Sequence, residues 1–268
     1  MTRIATRDGL ELHVESHGDG TPIVFSCGYS TTRENFRPQV APLVAAGHRV
    51  VLWDYRGHGD SDAPEDPDSY SFDVVLDDLA RVIDFASPAL PVVLAGFSFG
   101  GALSLHFALR HPARVRALVL LDTGPGFKNP DAQAGWLAQV ERIAQNLETR
   151  GLRSFVESRA AATAIGRRPE LPAAKHAARA IAKMSARGVA NFGRRVSGPI
   201  PGCIDELSQI TAPALVVVGE HDDAYLRAAD VMAARLPNAK KVVIPNAGHV
   251  VSIEEPEALN AAILAFLD

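Results

Sequence analysis

The chain has 268 residues, of which 47% are hydrophobic and 22% are charged. This length suffices for one large domain or for a domain with an insertion, and the composition is ordinary for a globular protein. The net charge of −4 argues against a nucleic-acid-binding surface.

The apolar stretches are short, and none approaches the roughly 18 residues that a bilayer crossing needs. The first eight residues, MTRIATRD, lack the apolar core of a secretory signal. The two cysteines, Cys27 and Cys203, make no disulfide framework. We therefore predict a cytoplasmic protein with reduced thiols that binds neither a membrane nor nucleic acid.

Seven short runs, apolar or alternating in polarity, predict β-strands at residues 10–16, 23–26, 50–53, 91–95, 115–121, 214–218 and 240–244. Helical patterns lie between them at residues 36–46, 74–85, 102–110, 226–236 and 258–267. Asp73 is the predicted N-cap of the second helix, because its carboxylate can accept from the free N–H groups of the first turn. Strands that alternate with helices predict an α/β fold, with a mostly parallel sheet and helices on both faces.

This alternation stops between Gly124 and about Glu206, where no strand-like run occurs. The stretch is rich in Ala and Arg, and its helical candidates are residues 136–149, 152–164 and 173–186. We predict a helical cap at 124–205 that covers one end of the sheet, with residues 1–123 and 206–268 forming the core. The alternative is an irregular part of the core itself.

The most informative motif, Gly96-Phe97-Ser98-Phe99-Gly100-Gly101, directly follows a predicted strand and leads into a predicted helix. A serine on such a cramped turn is held up at the end of the sheet, with the N–H groups of the next helix pointing toward it. Ser98 is therefore a candidate nucleophile. The alternative is a serine that serves the tight turn alone.

A serine nucleophile needs a base to take its proton and a carboxylate to orient that base. Asp222 and His249 each follow a predicted strand, in the chain order expected after a turn of this kind. Asp223 and Asp122 are rival acids, and a buried structural role is the alternative for His249. The other histidines that draw attention, His58 and His221, are interpreted as structural.

The loop Asp54-Tyr55-Arg56-Gly57-His58-Gly59-Asp60-Ser61 and the Ser98 motif together resemble the α/β-hydrolase superfamily, in its subgroup with a helical cap. The resemblance covers nearly the whole chain. It implies an eight-stranded sheet and assigns Ser98 as nucleophile, Asp222 as acid and His249 as base.

The same resemblance implies an oxyanion hole made by the backbone N–H groups of Tyr29 and Phe99. Relatives usually read His-Gly-x before the first donor, whereas this chain reads Cys27-Gly28-Tyr29. We interpret Cys27 as a small buried residue. Its presence predicts an oxyanion hole whose hydrogen-bond network is rearranged.

A serine at the nucleophile position implies an acyl-enzyme, whereas epoxide hydrolases and haloalkane dehalogenases of this fold use an aspartate. We therefore predict a serine hydrolase whose small-molecule substrate is a carboxylic ester, thioester or lactone. The alternatives are a C–C bond hydrolase of a keto-acid, a cofactor-free haloperoxidase or perhydrolase, and a ligand-binding protein without catalysis. No cofactor or metal is expected, since the chain has no dinucleotide fingerprint or zinc-ligand spacing.

Trp136 and Val250 are the predicted pocket residues, and Phe97 is interpreted as strand core. Arginines of the predicted cap either bind an acidic substrate or form a solvated helix face, and we favour the solvated face. These arginines are Arg159, Arg167, Arg168, Arg179, Arg187, Arg194 and Arg195. The sequence does not specify an oligomeric state.

Overall fold

A computed structural model describes residues 2–268 and contains an eight-stranded sheet flanked by helices. The strands are β1 Thr2–Ala5, β2 Glu11–His17, β3 Thr21–Ser26, β4 His48–Trp53, β5 Val92–Phe97, β6 Val115–Leu121, β7 Ala214–Gly219 and β8 Ala239–Ile244. Their spatial order is β1-β2-β4-β3-β5-β6-β7-β8. The β1–β2 and β2–β4 pairs are antiparallel and the other pairs are parallel. The predicted mostly parallel sheet is thus confirmed.

The central strands are covered on both faces, which explains their continuous apolar sequence. Every residue of β5 and of β7 is buried. By contrast, β1 lies at the edge and is largely exposed, so it has no apolar run from which to predict it. Because β5, β6, β7 and β8 run parallel, their carboxyl ends share one edge of the sheet, where ligands bind in open α/β folds.

The α-helices are α1 Arg37–Ala45, α2 Phe72–Ala86, α3 Phe99–Arg110, α4 Pro130–Val156, α5 Ala162–Ile165, α6 Pro172–Ile181, α7 Ala186–Phe192, α8 Asp223–Arg235, α9 Val251–Glu254 and α10 Pro256–Leu267. The predicted N-cap Asp73 is wrong. Helix α2 starts two residues earlier, because the Ser71 hydroxyl accepts from Val74 N at 3.2 Å. Asp73 lies within the first turn, and its carboxylate accepts from Arg110 on α3 at 2.7 Å.

Helices α4 to α7 form a helical insert between β6 and β7. The predicted helix at 152–164 is wrong, since α4 kinks at Gly151, where φ is 75°, and ends at Val156. A 3₁₀ turn at Arg159–Ala161 and the short α5 follow. Helix α7, which was not predicted as a separate helix, continues into a π-helical turn at Gly193–Ser197.

Five of the seven arginines highlighted above form ion pairs, and four of these five side chains are also well exposed to solvent. The pairs are Arg167–Glu254, Arg168–Glu255, Arg187–Glu65, Arg195–Asp68, and Arg194 with both Glu141 and Glu148. Four of these arginines therefore connect the insert to segments before β5 or after β8. Over residues 2–268, no helix has both the length and the apolar character for crossing a membrane.

Candidate active site

Ser98 occupies the sharp turn between β5 and α3. Its backbone is in an unusual conformation for a residue with a side chain, with φ 51° and ψ −116°. The turn is anchored to the neighbouring strand β6, because the Ser98 N–H donates to Leu121 O at 2.9 Å. The Thr123 hydroxyl in turn donates to Ser98 O at 2.5 Å. These bonds fix a strained backbone that raises the serine side chain at the end of the sheet.

The glycines that flank Ser98 are required by close backbone contacts. A Cβ atom on Gly96 would overlap the carbonyl oxygen of Gly100. A Cβ atom on Gly100 would overlap the carbonyl oxygen of Ser26, at the end of β3. Strand, turn and helix can therefore approach this closely only when both positions are glycine.

Asp222, His249 and Ser98 form a continuous chain of hydrogen bonds. Asp222 Oδ2 lies 2.8 Å from His249 Nδ1, and His249 Nε2 lies 3.2 Å from Ser98 Oγ. Asp222 is buried, and the His249 side chain is 15% exposed. With Nδ1–H donating to the carboxylate, Nε2 is free to accept the proton of the serine hydroxyl.

The rival carboxylates take other positions. Asp122 is fully buried at the end of β6, and its two oxygens accept from Gly219 N at 2.8 Å and from Val251 N at 3.4 Å. Burial, together with the nearby Asp222 carboxylate, raises the pKa of Asp122 well above its ordinary value. Asp223 is exposed in the first turn of α8. Of these three acids, Asp222 is the one that contacts His249.

Two backbone N–H groups flank Ser98 without acceptors of their own. Tyr29 N follows β3, and Phe99 N begins α3 directly after the serine. Among residues 2–268, neither of these N–H groups finds a hydrogen-bond acceptor. A Cβ atom on Gly28, the residue before Tyr29, would lie 3.3 Å from Ser98 Cβ, so the segment that carries Tyr29 passes close to the serine.

Cys27 is fully buried, and its thiol lies 3.8 Å from Thr31 O. Burial and the nearby Asp54 carboxylate raise the pKa of this thiol, so Cys27 stays protonated at neutral pH. A buried, protonated thiol is a poor nucleophile, which agrees with its interpretation as a packing residue.

The loop after Tyr29 is held by His58. The backbone N–H of Ser30 donates to His58 Nε2 at 3.3 Å, and His58 Nδ1 lies 3.4 Å from Arg56 O. Complete burial lowers the pKa of His58 to about 4, so the ring is neutral at pH 7. Its proton then resides on Nδ1, which leaves Nε2 as the acceptor for Ser30. His58 thereby anchors the backbone that carries the Tyr29 donor.

Phe192, at the end of α7, brings the helical insert to the site. It is fully buried, with its ring centroid 5.1 Å from that of Phe99 and 4.6 Å from that of His58. It also stacks on Tyr29 at 6.4 Å. One aromatic ring of the insert therefore packs against the side chains of both donor residues. Sequence reasoning missed Phe192, because its pairing depends on how the insert folds back.

Tyr225 is a second residue that sequence reasoning missed. Its ring stacks on His249, with centroids 4.9 Å apart and planes 22° apart. The sequence offered one indication of this residue, namely its position three residues after Asp222, in the first turn of α8.

Of the two predicted pocket residues, Trp136 lies in helix α4 of the insert and Val250 lies in the core. The Trp136 indole donates to Ser197 O at 2.8 Å, within the helical insert. Val250 is fully buried and reaches no accessible surface in this structure. Phe97 is buried in β5, and its ring centroid lies 5.0 Å from that of His249. In the described part of the chain, no group of three or more His, Cys, Asp or Glu could hold a metal ion.

A parallel sheet with a serine at a strand-to-helix turn, and with an acid and a histidine on neighbouring strand ends, defines a recognised class of enzyme fold. The family model for the α/β-hydrolase fold matches residues 21–256. The chain therefore belongs to the α/β-hydrolase family.

Individual relatives extend this result over the whole chain. A protein from Variovorax paradoxus, provisionally named carbamate hydrolase RutD, is 32% identical, with 96% of each chain covered. A Bacillus subtilis protein provisionally named 2-succinyl-6-hydroxy-2,4-cyclohexadiene-1-carboxylate synthase is 27% identical, with 98% of this chain and 97% of the relative covered.

Among solved structures, a thermophilic esterase from Thermogutta terrifontis superposes with a TM-score of 0.84 at 26% identity. The match covers 100% of this chain and 98% of the esterase. Hydrolase names among full-length relatives support a hydrolytic activity for this chain.

Proposed function

We propose that this protein is a serine hydrolase that cleaves a small carboxylic ester through an acyl-enzyme. The observation that carries the proposal is the hydrogen-bond chain from Asp222 through His249 to Ser98, with distances of 2.8 and 3.2 Å. Such a chain supplies a nucleophile, a base and the carboxylate that keeps the base in the reactive tautomer.

In acylation, Ser98 Oγ attacks the carbonyl carbon while its proton passes to His249 Nε2. The Asp222 carboxylate stabilises the imidazolium that forms. The carbonyl electrons move onto oxygen, and the Tyr29 and Phe99 N–H groups bind that oxyanion. Each such donor contributes on the order of 3 kcal/mol to transition-state stabilisation. His249 then gives its proton to the departing alcohol.

In deacylation, water attacks the acyl carbon and gives a proton to His249 Nε2. Collapse of the second tetrahedral intermediate returns the electron pair and the proton to Ser98 Oγ and releases the acid. The same two N–H groups serve both oxyanions.

The aromatic packing around the serine supports an apolar acyl group. The rings of Phe99, Phe192 and Tyr55 lie within 5.5 Å of one another, centroid to centroid, and Phe99 and Phe192 are almost completely buried. These rings make the packing next to the Phe99 turn apolar, which favours an apolar acyl group over a charged one.

The test is hydrolysis of p-nitrophenyl acetate by the parent protein, by Ser98→Ala and by Ser208→Ala, which changes an exposed serine as a control. We expect Ser98→Ala to lower kcat by at least about 10³-fold, because the nucleophile is lost. We expect Ser208→Ala to match the parent. Unchanged turnover in Ser98→Ala would reject the proposal.

A fluorophosphonate probe separates catalysis from the alternative of a ligand-binding protein. We expect the parent to be labelled on Ser98 and the Ser98→Ala variant to resist labelling. A folded parent that resists the probe would favour ligand binding. A panel of a thioester, a lactone and an aryl carbamate would then rank the acyl substrates, the carbamate being included because of the Variovorax relative's name.

A further inference from the structure

The loop that carries His249 connects β8 to α9 and spans residues 245–250. It is anchored to the turn after β7, because His221 N donates to Ala247 O at 2.9 Å. Asn246 adopts a positive φ of 61°, which is uncommon for a residue with a side chain. Because the loop has no regular structure of its own, the contacts that anchor it determine where His249 lies.

Arg167, in the turn between α5 and α6 of the insert, contacts the same loop. Its Nη2 donates to Asn246 O at 3.1 Å, and its Nε lies 3.3 Å from Glu254 Oε2 on α9. Its side chain also lies against Gly248, since a Cβ atom there would be 2.7 Å from Arg167 Nε and 2.9 Å from its Cδ. The insert therefore covers the residue directly before His249.

The Glu254 carboxylate fixes the position of Arg167. The Glu254 side chain is completely buried, whereas that of Arg167 is 44% exposed. A buried carboxylate costs free energy unless it is paired, and Arg167 supplies the pair. The insert backbone packs on the same side chain, since a Cβ atom on Gly166 would lie 2.8 Å from Glu254 Cγ. Arg167 is thus held over the loop despite its partial exposure.

The neighbouring Arg168 attaches the insert at a different place. It donates to the carbonyl oxygen of Glu254, and its Nη2 lies 2.7 Å from Glu255 Oε1. Both acceptors lie at the end of α9, beyond the loop that carries His249. Two adjacent arginines therefore connect the insert to α9, and Arg167 additionally binds the loop.

We propose that Arg167 is a positioning residue that holds the loop at 245–250 and thereby keeps His249 Nε2 directed at Ser98 Oγ. This inference rests on the proposed serine hydrolase function. Asp222, His249 and Ser98 all lie outside the insert, yet the insert contributes through Arg167 to the geometry of the base. A misplacement of about 1 Å in such a geometry can lower the rate by up to about 10²-fold.

The role of His249 in both steps predicts a particular kinetic pattern. His249 takes the serine proton in acylation and the water proton in deacylation. Loosening of its loop therefore slows both steps by similar factors. The ratio of the two rate constants, which enters KM, is then unchanged, so the loss appears in kcat.

The experiment compares Arg167→Met and Arg168→Met with the parent, using p-nitrophenyl acetate and p-nitrophenyl butyrate. Methionine keeps an apolar stem and removes the guanidinium. We expect Arg167→Met to lower kcat about tenfold on both esters, with KM within about twofold of the parent. Arg168→Met loses an ion pair to the α9 region but keeps the loop contact, so its kcat should stay within about twofold. Arg167→Lys keeps a cationic donor and should recover part of the loss.

Folding is checked by thermal unfolding, because Arg167→Met leaves the Glu254 carboxylate buried without a cation. If this variant does not fold, Glu254→Gln and the double variant Arg167→Met/Glu254→Gln make the same comparison without the buried charge. We expect kcat to be about tenfold lower in the double variant than in Glu254→Gln alone.

The outcomes separate the inference from the function on which it rests. Unchanged kcat in folded Arg167→Met would overturn the inference. An equal fall in Arg168→Met would also overturn it, since docking of the insert in general would then be the cause. So would a rise in KM that differs between the two esters, because that pattern indicates contact with the acyl chain. In each case, loss of turnover in Ser98→Ala would leave the proposed function standing. Retained turnover in Ser98→Ala would instead reject the proposed function together with the inference.

Discussion

Replacing His58 with glutamine removes a titratable ring from a site where the folded protein holds it neutral. The ring is completely buried, with aromatic centroids of Phe192 at 4.6 Å and Tyr55 at 5.6 Å. Protonation of Nε2 would break its bond to Ser30 N and place a charge among these rings. Glutamine offers an Oε1 atom that can still accept from Ser30 and does not titrate.

The magnitude follows from the pKa of His58, which burial lowers from 6.5 to about 4. Between pH 6.5 and about pH 4, His58 binds a proton in the unfolded chain but stays neutral in the folded chain. The free energy of unfolding therefore falls as the pH falls. The His58 contribution is complete above pH 6.5 and is lost progressively toward pH 4. At 1.36 kcal/mol for each pKa unit, this loss is about 3 kcal/mol.

The assay is urea unfolding at pH 7 and pH 4 for the parent, His58→Gln and His221→Gln. Other groups titrate in this range, so the informative quantity is the difference between proteins in their loss of unfolding free energy. We expect His58→Gln to lose about 3 kcal/mol less than the parent between the two pH values. His221 is exposed, and its replacement should leave the parent's pH dependence intact. Equal losses in the parent and His58→Gln would refute the reasoning.

Two further predictions concern the site and the insert. Asp222→Asn removes the charge that orients His249, so kcat for p-nitrophenyl acetate should fall on the order of 10⁴-fold while exposed Asp223→Asn stays near the parent. A small effect of Asp222→Asn would show that another acid orients the base. Phe192→Ala leaves a cavity beside Phe99 and should lower the free energy of unfolding by about 3 to 5 kcal/mol, measured by urea denaturation. A loss below about 1 kcal/mol would mean that this ring is not tightly packed.

The sequence predicted the central sheet well because buried parallel strands have a distinctive pattern. Strand β5, with every residue buried, must be apolar throughout, and its run is visible in the sequence. Edge strand β1 is largely exposed and has no such pattern. Helix α3 begins at Phe99 rather than at the predicted Ala102, since its first turn is formed by glycines that have low helix propensity.

The candidate site was predicted in part, because chain order specifies which strand ends carry the polar residues. It does not specify which of two acids at neighbouring strand ends faces the base. Asp122 and Asp222 both follow strands, and only the direction of the side chain distinguishes the acid that contacts His249. The Asp122 carboxylate instead accepts hydrogen bonds from the backbone N–H groups of Gly219 and Val251. Tyr225 was missed for a similar reason, because its contact with His249 depends on the direction in which α8 leaves the sheet.

Phe192 mechanically links the helical insert to the segments on either side of Ser98. Its ring packs on Phe99, which directly follows the serine, and on Tyr29, which follows β3. A displacement of α7 would therefore withdraw one ring from both residues at once. A substitution elsewhere in the insert that shifts α7 would for this reason change the packing of both residues together.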